Sequence, residues 1–286
     1  MSTSDAGRES ALRKEIEKIE SGSGAKAIAV ALSDAESGLE LHYNAERWFH
    51  AASTIKVPIL LGVFAAIDRG DLLPHSRVHV RNRFLSVVEQ VPFRVEQGRD
   101  ANSSVQNAIG KMMRVDELAY HMITTSSNLA TNLLLGVVGP DSVRATLREL
   151  EVDEGIELKR GVEDELAFEK GINSRVTADG LLRILVLLSE GKAFSPALSR
   201  RMMDILHAQE FNQGIPARLP KGARVAHKTG EISTIAHDAA VVYLPKRKPY
   251  VLVVLTEWEP SGSGRSRAIA TISHAVYEAL TAVVPA

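Results

Sequence analysis

The chain has no cysteine among its 286 residues. That absence excludes disulfide bonds, thiol nucleophiles and thiolate metal sites together. The charges nearly cancel, with 34 Lys and Arg against 35 Asp and Glu, so no overall positive field favours nucleic acid or anionic lipid as a partner. A local basic patch is compatible with this balance.

Long apolar runs are also missing. No window approaches about 18 uncharged apolar residues, and the first ten residues lack the apolar stretch that a signal peptide needs. We therefore expect no membrane span, and a chain that is either cytoplasmic or trimmed in its mature form. What is present, 45% hydrophobic and 24% charged residues, is typical of a globular protein with one large or two interleaved domains.

Hydrophobic periodicity divides the chain into three parts. An amphipathic helix and a hairpin come first, at residues 10–20, 25–33 and 39–43. Helical patterns fill the middle, at residues 57–67, 115–135, 141–150, 177–189 and 195–206. Three strands and a helix close the chain, at residues 223–232, 238–244, 250–258 and 265–282. Residues 72–107 read as irregular, with a basic patch at Arg77, Arg81 and Arg83.

This order predicts an α/β (α+β) fold. An antiparallel sheet of about five strands is expected from both chain ends, flanked by the terminal helices, with an all-helical domain inserted. The sheet domain would comprise residues 1–46 and 223–286, and the helical domain residues 47–222. The cleft between them is the expected binding site.

A serine and a lysine three residues apart open the first buried helix. If the run is helical, Ser53 and Lys56 share a face, and the Ser53 hydroxyl comes within hydrogen-bond reach of the Lys56 amine. The first helical turn also offers unpaired N–H groups that would stabilise an oxyanion. The pattern is common, however, and recurs at Ser23 to Lys26 and at Ser189 to Lys192, where it looks structural.

Two further polar clusters lie downstream. Residues 124–128 interrupt an apolar helix with hydroxyl and amide side chains, among them Ser126 and Asn128, which by themselves also suit a helix–turn–helix corner. The triplet Lys228-Thr229-Gly230 falls on a predicted strand, where Lys228 and Thr229 can bind a carboxylate and Gly230 permits a close backbone approach. A charged edge residue before a bulge explains that triplet equally well.

Taken together and in this order, the three motifs resemble those of the penicillin-recognising serine hydrolases, and specifically class A β-lactamases. The resemblance implies that Ser53 is the acylated nucleophile, with Lys56 as its proton acceptor. It implies that Ser126 passes the proton to the leaving nitrogen and that Asn128 holds the substrate's side-chain amide. Lys228 and Thr229, with Gly230 beside them, would bind the substrate carboxylate, and the backbone N–H groups of Ser53 and Glu231 would form the oxyanion hole.

Three positions depart from the family pattern. Ser127 replaces the aspartate that normally braces the second motif, so that bracing charge is expected to be absent. Glu231 replaces a small residue and places a carboxylate at the cleft edge, where it would repel anionic substrates. The stretch Glu163 to Ala167 best matches the family's Glu-x-x-Leu-Asn loop, but it lacks the asparagine. Glu163 is the candidate activator of the deacylating water, with an ordinary acidic surface loop as the alternative.

The resemblance implies a serine β-lactamase that hydrolyses the β-lactam amide without metal or cofactor. The alternatives are a penicillin-binding DD-peptidase, an esterase-type serine hydrolase, or a sensor, each acylated by β-lactams but slow to deacylate. Expected partners are a small β-lactam or a peptidoglycan-like substrate, without nucleic acid, and the chain is expected to be monomeric. The family acts outside the cytoplasm, which implies a periplasmic or secreted protein and a role in antibiotic resistance.

Overall fold

The structure is a computed structural model that describes residues 3–100, 103–260 and 262–282. Its strands are numbered along the chain. They are β1 (Ala27–Asp34), β2 (Glu40–Tyr43), β3 (Phe49–His50), β4 (Arg77–His79), β5 (Phe84–Leu85), β6 (Pro92–Phe93), β7 (Met112–Arg114), β8 (Ile156–Glu157), β9 (Arg175–Val176), β10 (Arg224–Ile232), β11 (Ile235–Tyr243) and β12 (Tyr250–Glu257).

The helices occupy both termini and most of the middle of the chain. They are α1 (Thr3–Ser23), α2 (Lys56–Asp68), α3 (Ser103–Gln106), α4 (Val115–Thr124), α5 (Asn128–Val138), α6 (Pro140–Glu149), α7 (Glu165–Glu169), α8 (Ala178–Ser189), α9 (Pro196–His207) and α10 (Arg265–Thr281). Short 3-10 turns cover Ala52–Ile55, Gln97–Arg99 and Ile215–Arg218.

One antiparallel sheet joins the two ends of the chain, as predicted. Its strand order is β10-β11-β12-β1-β2. The N-terminal hairpin therefore extends the C-terminal three strands, with Val30 opposite Val254 on one side and Tyr43 on the other. This confirms the predicted fold class, while the domain boundaries at residues 46 and 222 stay a prediction.

Both faces of the sheet are buried, which explains why its central strands are apolar almost throughout. Along β1, Ile28 and Val30 pack with residues of α1 and α10, whereas Ala29 and Ala31 face the core that includes α2 and α8. This alternation is the period-2 pattern of a strand. The small alanines on the inner face let the helices approach the sheet closely.

Helix α2 is the central helix of the inner core, and Val57 to Ala66 are all buried. Pro58 is the third residue of this helix. The four preceding residues form the 3-10 turn Ala52–Ile55, a geometry that accommodates a proline ring next to the preceding turn. The turn delivers Ser53 to the edge of the cleft.

Residues 72–107, predicted as irregular, contain only short elements, and β7 follows them at Met112–Arg114. They form two small hairpin-like pairs, β4 with β7 and β5 with β6. The acidic stretch 151–169 includes β8 and the single-turn helix α7. No helix in the described ranges is both long and apolar enough to cross a bilayer.

Candidate active site

Ser53 lies in the 3-10 turn directly before α2 and is partly accessible. Its neighbour Ala52 has a φ of 43°, in the left-handed region that disfavours residues with a side chain. The Ala52 N–H donates to His50 Nδ1 at 3.0 Å, and this bond helps to hold the strained residue. Backbone strain next to a candidate nucleophile is typical of a functional turn.

Strand β10 passes unusually close to this turn at Gly230. A Cβ added at Gly230 would lie 3.1 Å from the backbone nitrogen of Thr54 and 3.2 Å from that of Ser53. Only glycine therefore fits without movement. The close approach brings the N–H end of the Ser53 turn against the strand that carries Lys228, Thr229 and Glu231.

Lys56 is completely buried, and its amine is surrounded by acceptors. Lys56 Nζ donates to Ser126 O at 2.6 Å and to Asn128 Oδ1 at 2.8 Å, and it lies 3.0 Å from Ser126 Oγ. Among the residues that the structure describes, no hydrogen bond joins Lys56 to Ser53. The predicted Ser53–Lys56 contact is therefore replaced, in this state, by a contact between the first and second motifs.

Ser126 lies in the break between α4 and α5 and has a φ of 58°. Its hydroxyl also accepts from Lys228 Nζ at 3.1 Å, so two lysines of different elements meet at one serine oxygen. Lys228 Nζ additionally donates to Thr229 O at 2.8 Å. The structure thus brings Lys56, Ser126 and Lys228 together, as the sequence motifs predicted.

Two buried amines share this network, and the pKa of each lies below the ordinary lysine value. Burial, followed by the charge of Lys228, holds the pKa of Lys56 well below its ordinary value of 10.5. Burial lowers the pKa of Lys228 to about 7, with the Asp238 carboxylate opposing that shift. In its uncharged form the Lys56 amine has two N–H donors for hydrogen bonds and one lone pair. A general base needs that lone pair to accept a proton.

The second motif has a bracing carboxylate after all, which corrects the expectation based on Ser127. Asp100 is almost fully buried, and it accepts from Ser127 Oγ at 3.1 Å. It also accepts from the backbone N–H groups of Asn128 at 3.3 Å and Leu129 at 3.1 Å, and from Gln106 Nε2 at 3.2 Å. The bracing charge therefore comes from Asp100 in the preceding loop and not from the motif itself. Asp100 also faces the N-terminus of α5.

Glu163 lies in a turn of the segment between α6 and α8 and has a φ of 60°. Its carboxylate accepts from Asn128 Nδ2 at 2.5 Å and from the Glu96 N–H at 3.0 Å. Burial raises the pKa of Glu163, and these two hydrogen bonds oppose the shift. Asn128 therefore links the Glu163 carboxylate to Lys56, because its Oδ1 accepts from that amine.

A second set of contacts holds the backbone around Glu163. Asn132 Nδ2 donates to the Val162 carbonyl at 2.8 Å, and the Val162 N–H donates to Asn132 Oδ1 at 2.9 Å. Asp164 accepts from the Val87 N–H at 3.0 Å and from Ala167 N at 3.2 Å, and it thereby caps α7. Ala167, at the position where the family loop has asparagine, is fully buried.

The Glu231 carboxylate is paired, which modifies the expected repulsion of anions. Arg265 Nη2 donates to Glu231 Oε1 at 2.7 Å, and the same guanidinium donates to the carbonyl of Ile232 at 2.6 Å. A neutralised carboxylate repels an anion less than a free one. The backbone of Glu231 stays at the cleft edge beside Gly230.

Two cavities meet at Ser53. One of about 260 Å³ is lined by Ser126 and by the predicted substrate-binding residues other than the buried Lys228. Those lining residues include Ser53, Asn128, Thr229, Gly230 and Glu231. The other, of about 690 Å³, is lined by Ser53 and Glu163, together with Asn128 and Glu231. Every predicted site residue thus lies at or directly behind one of these two cavities.

Sequence reasoning missed several residues of the site. His50, Asp100 and Asn132 each hold a candidate catalytic segment through a hydrogen bond to its backbone. Asn132 lies within the second-motif stretch, four residues after Asn128, and that spacing on a helix could have indicated it. His50 and Asp100 carried no sequence signal, because their partners are chosen by the fold.

Comparison with known proteins agrees with this geometry. The profile of the family described as the β-lactamase enzyme family matches residues 11–280. The chain belongs to the β-lactamase enzyme family. Its match extends over both the sheet and the helical region, so all three motifs fall within it.

Individual relatives share about a quarter of their residues with this chain. The β-lactamase CARB-3 of Pseudomonas aeruginosa is 24% identical over 260 residues, which is 89% of this chain and 85% of that protein. Among solved structures, a mutant of PBP-A in an acyl-enzyme complex with penicillin G has a TM-score of 0.81 and 27% identity, covering 95% of this chain and 96% of that one. An ancestral class A β-lactamase has a TM-score of 0.80 and 28% identity, covering 94% and 99%.

Proposed function

We propose that the protein is a serine β-lactamase that opens the β-lactam amide through an acyl-enzyme on Ser53. The observation that carries the proposal is that Ser53 and Glu163 line one cavity, while Lys56 and Ser126 form a network behind it. A nucleophile, a buried neutral amine and a carboxylate base are the groups that two successive acyl transfers require.

Acylation would proceed through the two lysines and Ser126. The Ser53 oxygen attacks the lactam carbonyl carbon and transfers its proton to uncharged Lys56. As the carbon–nitrogen bond breaks, Lys56 returns a proton through the Ser126 hydroxyl to the leaving nitrogen. Ser126 suits this relay because its oxygen lies 3.0 Å from Lys56 Nζ and 3.1 Å from Lys228 Nζ.

Substrate binding would use the strand side of the cleft. The backbone N–H groups of Ser53 and Glu231 would stabilise the developing oxyanion, each such donor being worth about 3 kcal/mol in comparable enzymes. Lys228 and Thr229 would bind the substrate carboxylate, with the carboxylate itself favouring the charged form of Lys228. Asn128 would hold the side-chain amide, for which it must release one of its present partners.

Deacylation would depend on Glu163. Its carboxylate would remove a proton from a water that attacks the ester carbon, and the ester bond breaks to return the proton to the Ser53 oxygen. The raised pKa of Glu163 makes it a stronger base than an exposed glutamate. The product is the ring-opened acid, and Ser53 is regenerated.

A second candidate is a penicillin-binding hydrolase or sensor that acylates but deacylates slowly. Two observations favour it. Ala167 offers no side-chain amide to hold a water, and Asn128 Nδ2 already occupies one oxygen of Glu163. The similarity to PBP-A is compatible with either candidate.

The deciding experiment is stopped-flow hydrolysis of nitrocefin, with intact-protein mass spectrometry on the same sample. Many turnovers with little covalent adduct are expected of the β-lactamase. A single burst followed by a stable adduct would replace it with the second candidate. Absence of both burst and adduct would refute the nucleophilic role of Ser53 toward this substrate class.

We further propose a small-molecule substrate, a β-lactam or a peptidoglycan-like peptide, and a place of action outside the cytoplasm, in the periplasm or after secretion. Both follow from the family and its substrate class. A monomer remains the expectation for the assembly.

A further inference from the structure

A third cavity, of about 540 Å³, lies between the β5–β6 hairpin and helices α5 and α6. It has no part in the chemistry proposed above. Its apolar lining consists of Phe84, Leu85, Val87, Phe93, Leu135 and Pro140. Its charged lining consists of Arg81 and Arg83, and no acidic side chain is among its lining residues.

The alternation of burial along residues 81–87 creates this arrangement. Arg81, Arg83, Leu85 and Val87 are exposed and line the cavity. The half-buried Phe84 also lines it, whereas Asn82 and Ser86 are turned inward and do not. Alternate residues of an extended segment point to one side. The result is a stripe about 20 Å long, basic at one end and aliphatic at the other.

Among the described residues, the arginines at the basic end of the stripe have no ion-pair partner, and the aliphatic side chains at the other end are exposed to solvent. Arg81 and Arg83 form no ion pair with any residue that the structure describes, whereas Arg99, Arg114 and Arg265 each do. Leu85 is 55% exposed and Val87 46% exposed. Exposed aliphatic residues beside unpaired arginines fit a ligand with an anionic head and an apolar chain.

We propose that this cavity binds a single anionic amphiphile, a molecule with one alkyl chain and one carboxylate or phosphate head. The head lies on Arg81 and Arg83, and the chain lies against Leu85, Val87 and the two phenylalanines. A free alkyl carboxylate and a single-chain lipid such as a lysophospholipid share this chemistry. The near-neutral charge of the whole chain makes the local arginine pair, and not the overall field, the source of attraction.

Isothermal titration calorimetry on the full chain tests the proposal with three matched probes. Decanoate below its micelle concentration is expected to bind at one saturable site. Acetate, which has the head alone, and 1-decanol, which has the chain alone, are each expected to bind at least about tenfold more weakly. Equal binding of decanoate and decanol, or unsaturable uptake, would overturn the proposal.

Surface variants localise the site. Arg81→Gln with Arg83→Gln, and separately Leu85→Ser, are each expected to weaken decanoate binding at least about tenfold. Arg77→Gln is the control, because Arg77 is an exposed arginine of the same segment that does not line the cavity. Undiminished binding in the double variant, or equal loss in the control, would refute the assignment.

Co-sedimentation with vesicles separates the two sources. Binding to vesicles that contain lysophosphatidylglycerol, which has one chain, would show, in addition to decanoate binding, that the site accepts a lipid, provided that the Arg81→Gln, Arg83→Gln double variant loses it. Decanoate binding without vesicle binding would restrict it to free amphiphiles. Vesicle binding without any decanoate binding would overturn the proposal, since the cavity would then not hold a single molecule.

Discussion

Ser53, Lys56 and Lys228 lie on or next to regular secondary structure, whereas Glu163 lies in a turn between α6 and α8. Both lysines are fully buried, one at the start of α2 and the other within β10. Glu163 depends instead on individual polar contacts, from Asn128, from the Glu96 N–H and, through Val162, from Asn132. The two lysines proposed for acylation are thus placed by the core, and the group proposed for deacylation by a loop.

This difference explains how one fold can support both turnover and slow release. Changing the core positions of the lysines requires changing the packing of α2 or β10. Changing the loop requires only the loss of a few hydrogen bonds, each worth about 1 kcal/mol. The two half-reactions are therefore expected to respond to different substitutions.

Lys56→Met should have the largest effect. It removes the buried amine that the proposed acylation uses as base while keeping an apolar chain of similar length, so acylation should slow by about 10²- to 10⁴-fold. Formation of the nitrocefin adduct, followed by mass spectrometry, measures this directly. Lys192→Met is the control, because Lys192 ends another Ser-x-x-Lys pattern and is largely exposed. An unchanged acylation rate in Lys56→Met would exclude Lys56 as the base.

Glu163→Gln should have the next largest effect, and that effect should be confined to the deacylation step. Turnover should fall by about 10²- to 10³-fold while the acylation burst persists, because the amide keeps the size of the side chain but not its basicity. Steady-state and burst kinetics on one sample report both quantities. Glu165→Gln is the control, since the exposed Glu165 carboxylate pairs with Arg99. Full turnover in Glu163→Gln would remove Glu163 from the mechanism.

Asp100→Asn tests the brace beneath the second motif. The amide loses the charge that accepts from Ser127 and two backbone N–H groups, so the free energy of unfolding should fall by about 1–3 kcal/mol. Ser127→Asp in the same chain returns a carboxylate to the motif and should recover part of the loss. Urea denaturation of both variants provides the comparison, and an equally stable Asp100→Asn single variant would argue against the brace.

The pH dependence of substrate binding should show the smallest effect. Because burial lowers the pKa of Lys228 to about 7, its charge is lost as the pH rises through that value. The KM for an anionic β-lactam should then increase by up to about fivefold between pH 7 and pH 8. The methyl ester of the same substrate, which lacks the carboxylate, should show no such increase. A parallel rise for both substrates would mean that another group titrates.

The same depressed pKa has a consequence for stability. Between about pH 7 and the ordinary lysine value of 10.5, the unfolded chain carries a proton at Lys228 that the folded chain has lost. The unfolded state binds more protons in this window, so the contribution of Lys228 to the free energy of unfolding rises with pH there. Chemical denaturation at pH 7.5 and 9.5, compared with a Lys228→Met variant, isolates that contribution.

The sequence anticipated what depends on periodicity and on local motifs. One antiparallel sheet built from both ends of the chain was predicted from the apolar strands there, and the meeting of Ser126 with Lys56 and Lys228 was predicted from the three motifs. Side-chain contacts between residues far apart in the chain were not predicted from the sequence. Asp100 reaches Ser127 across 27 residues of chain, and Arg265 reaches Glu231 across 34. Neither pair has a spacing that a helix or strand period would reveal.

The Ser53–Lys56 pair shows a subtler limit. The i, i+3 spacing places both residues on one face, but the preceding 3-10 turn and the buried acceptors of the second motif direct the amine toward Ser126 and Asn128. A periodicity argument gives the face of a helix and not the choice among acceptors. That choice depends on the break between α4 and α5, which the sequence indicated only as an interruption.

The most direct test of the division between the two regions is the lifetime of the acyl-enzyme. Penicillin G is mixed with the wild-type protein and with Glu163→Gln, and the adduct on Ser53 is followed over time by intact-protein mass spectrometry and located by peptide mapping. The account predicts rapid formation in both, rapid loss in the wild type, and an adduct that persists at least about 10²-fold longer in the variant. Equal lifetimes in the two proteins, or an adduct on any residue other than Ser53, would contradict it.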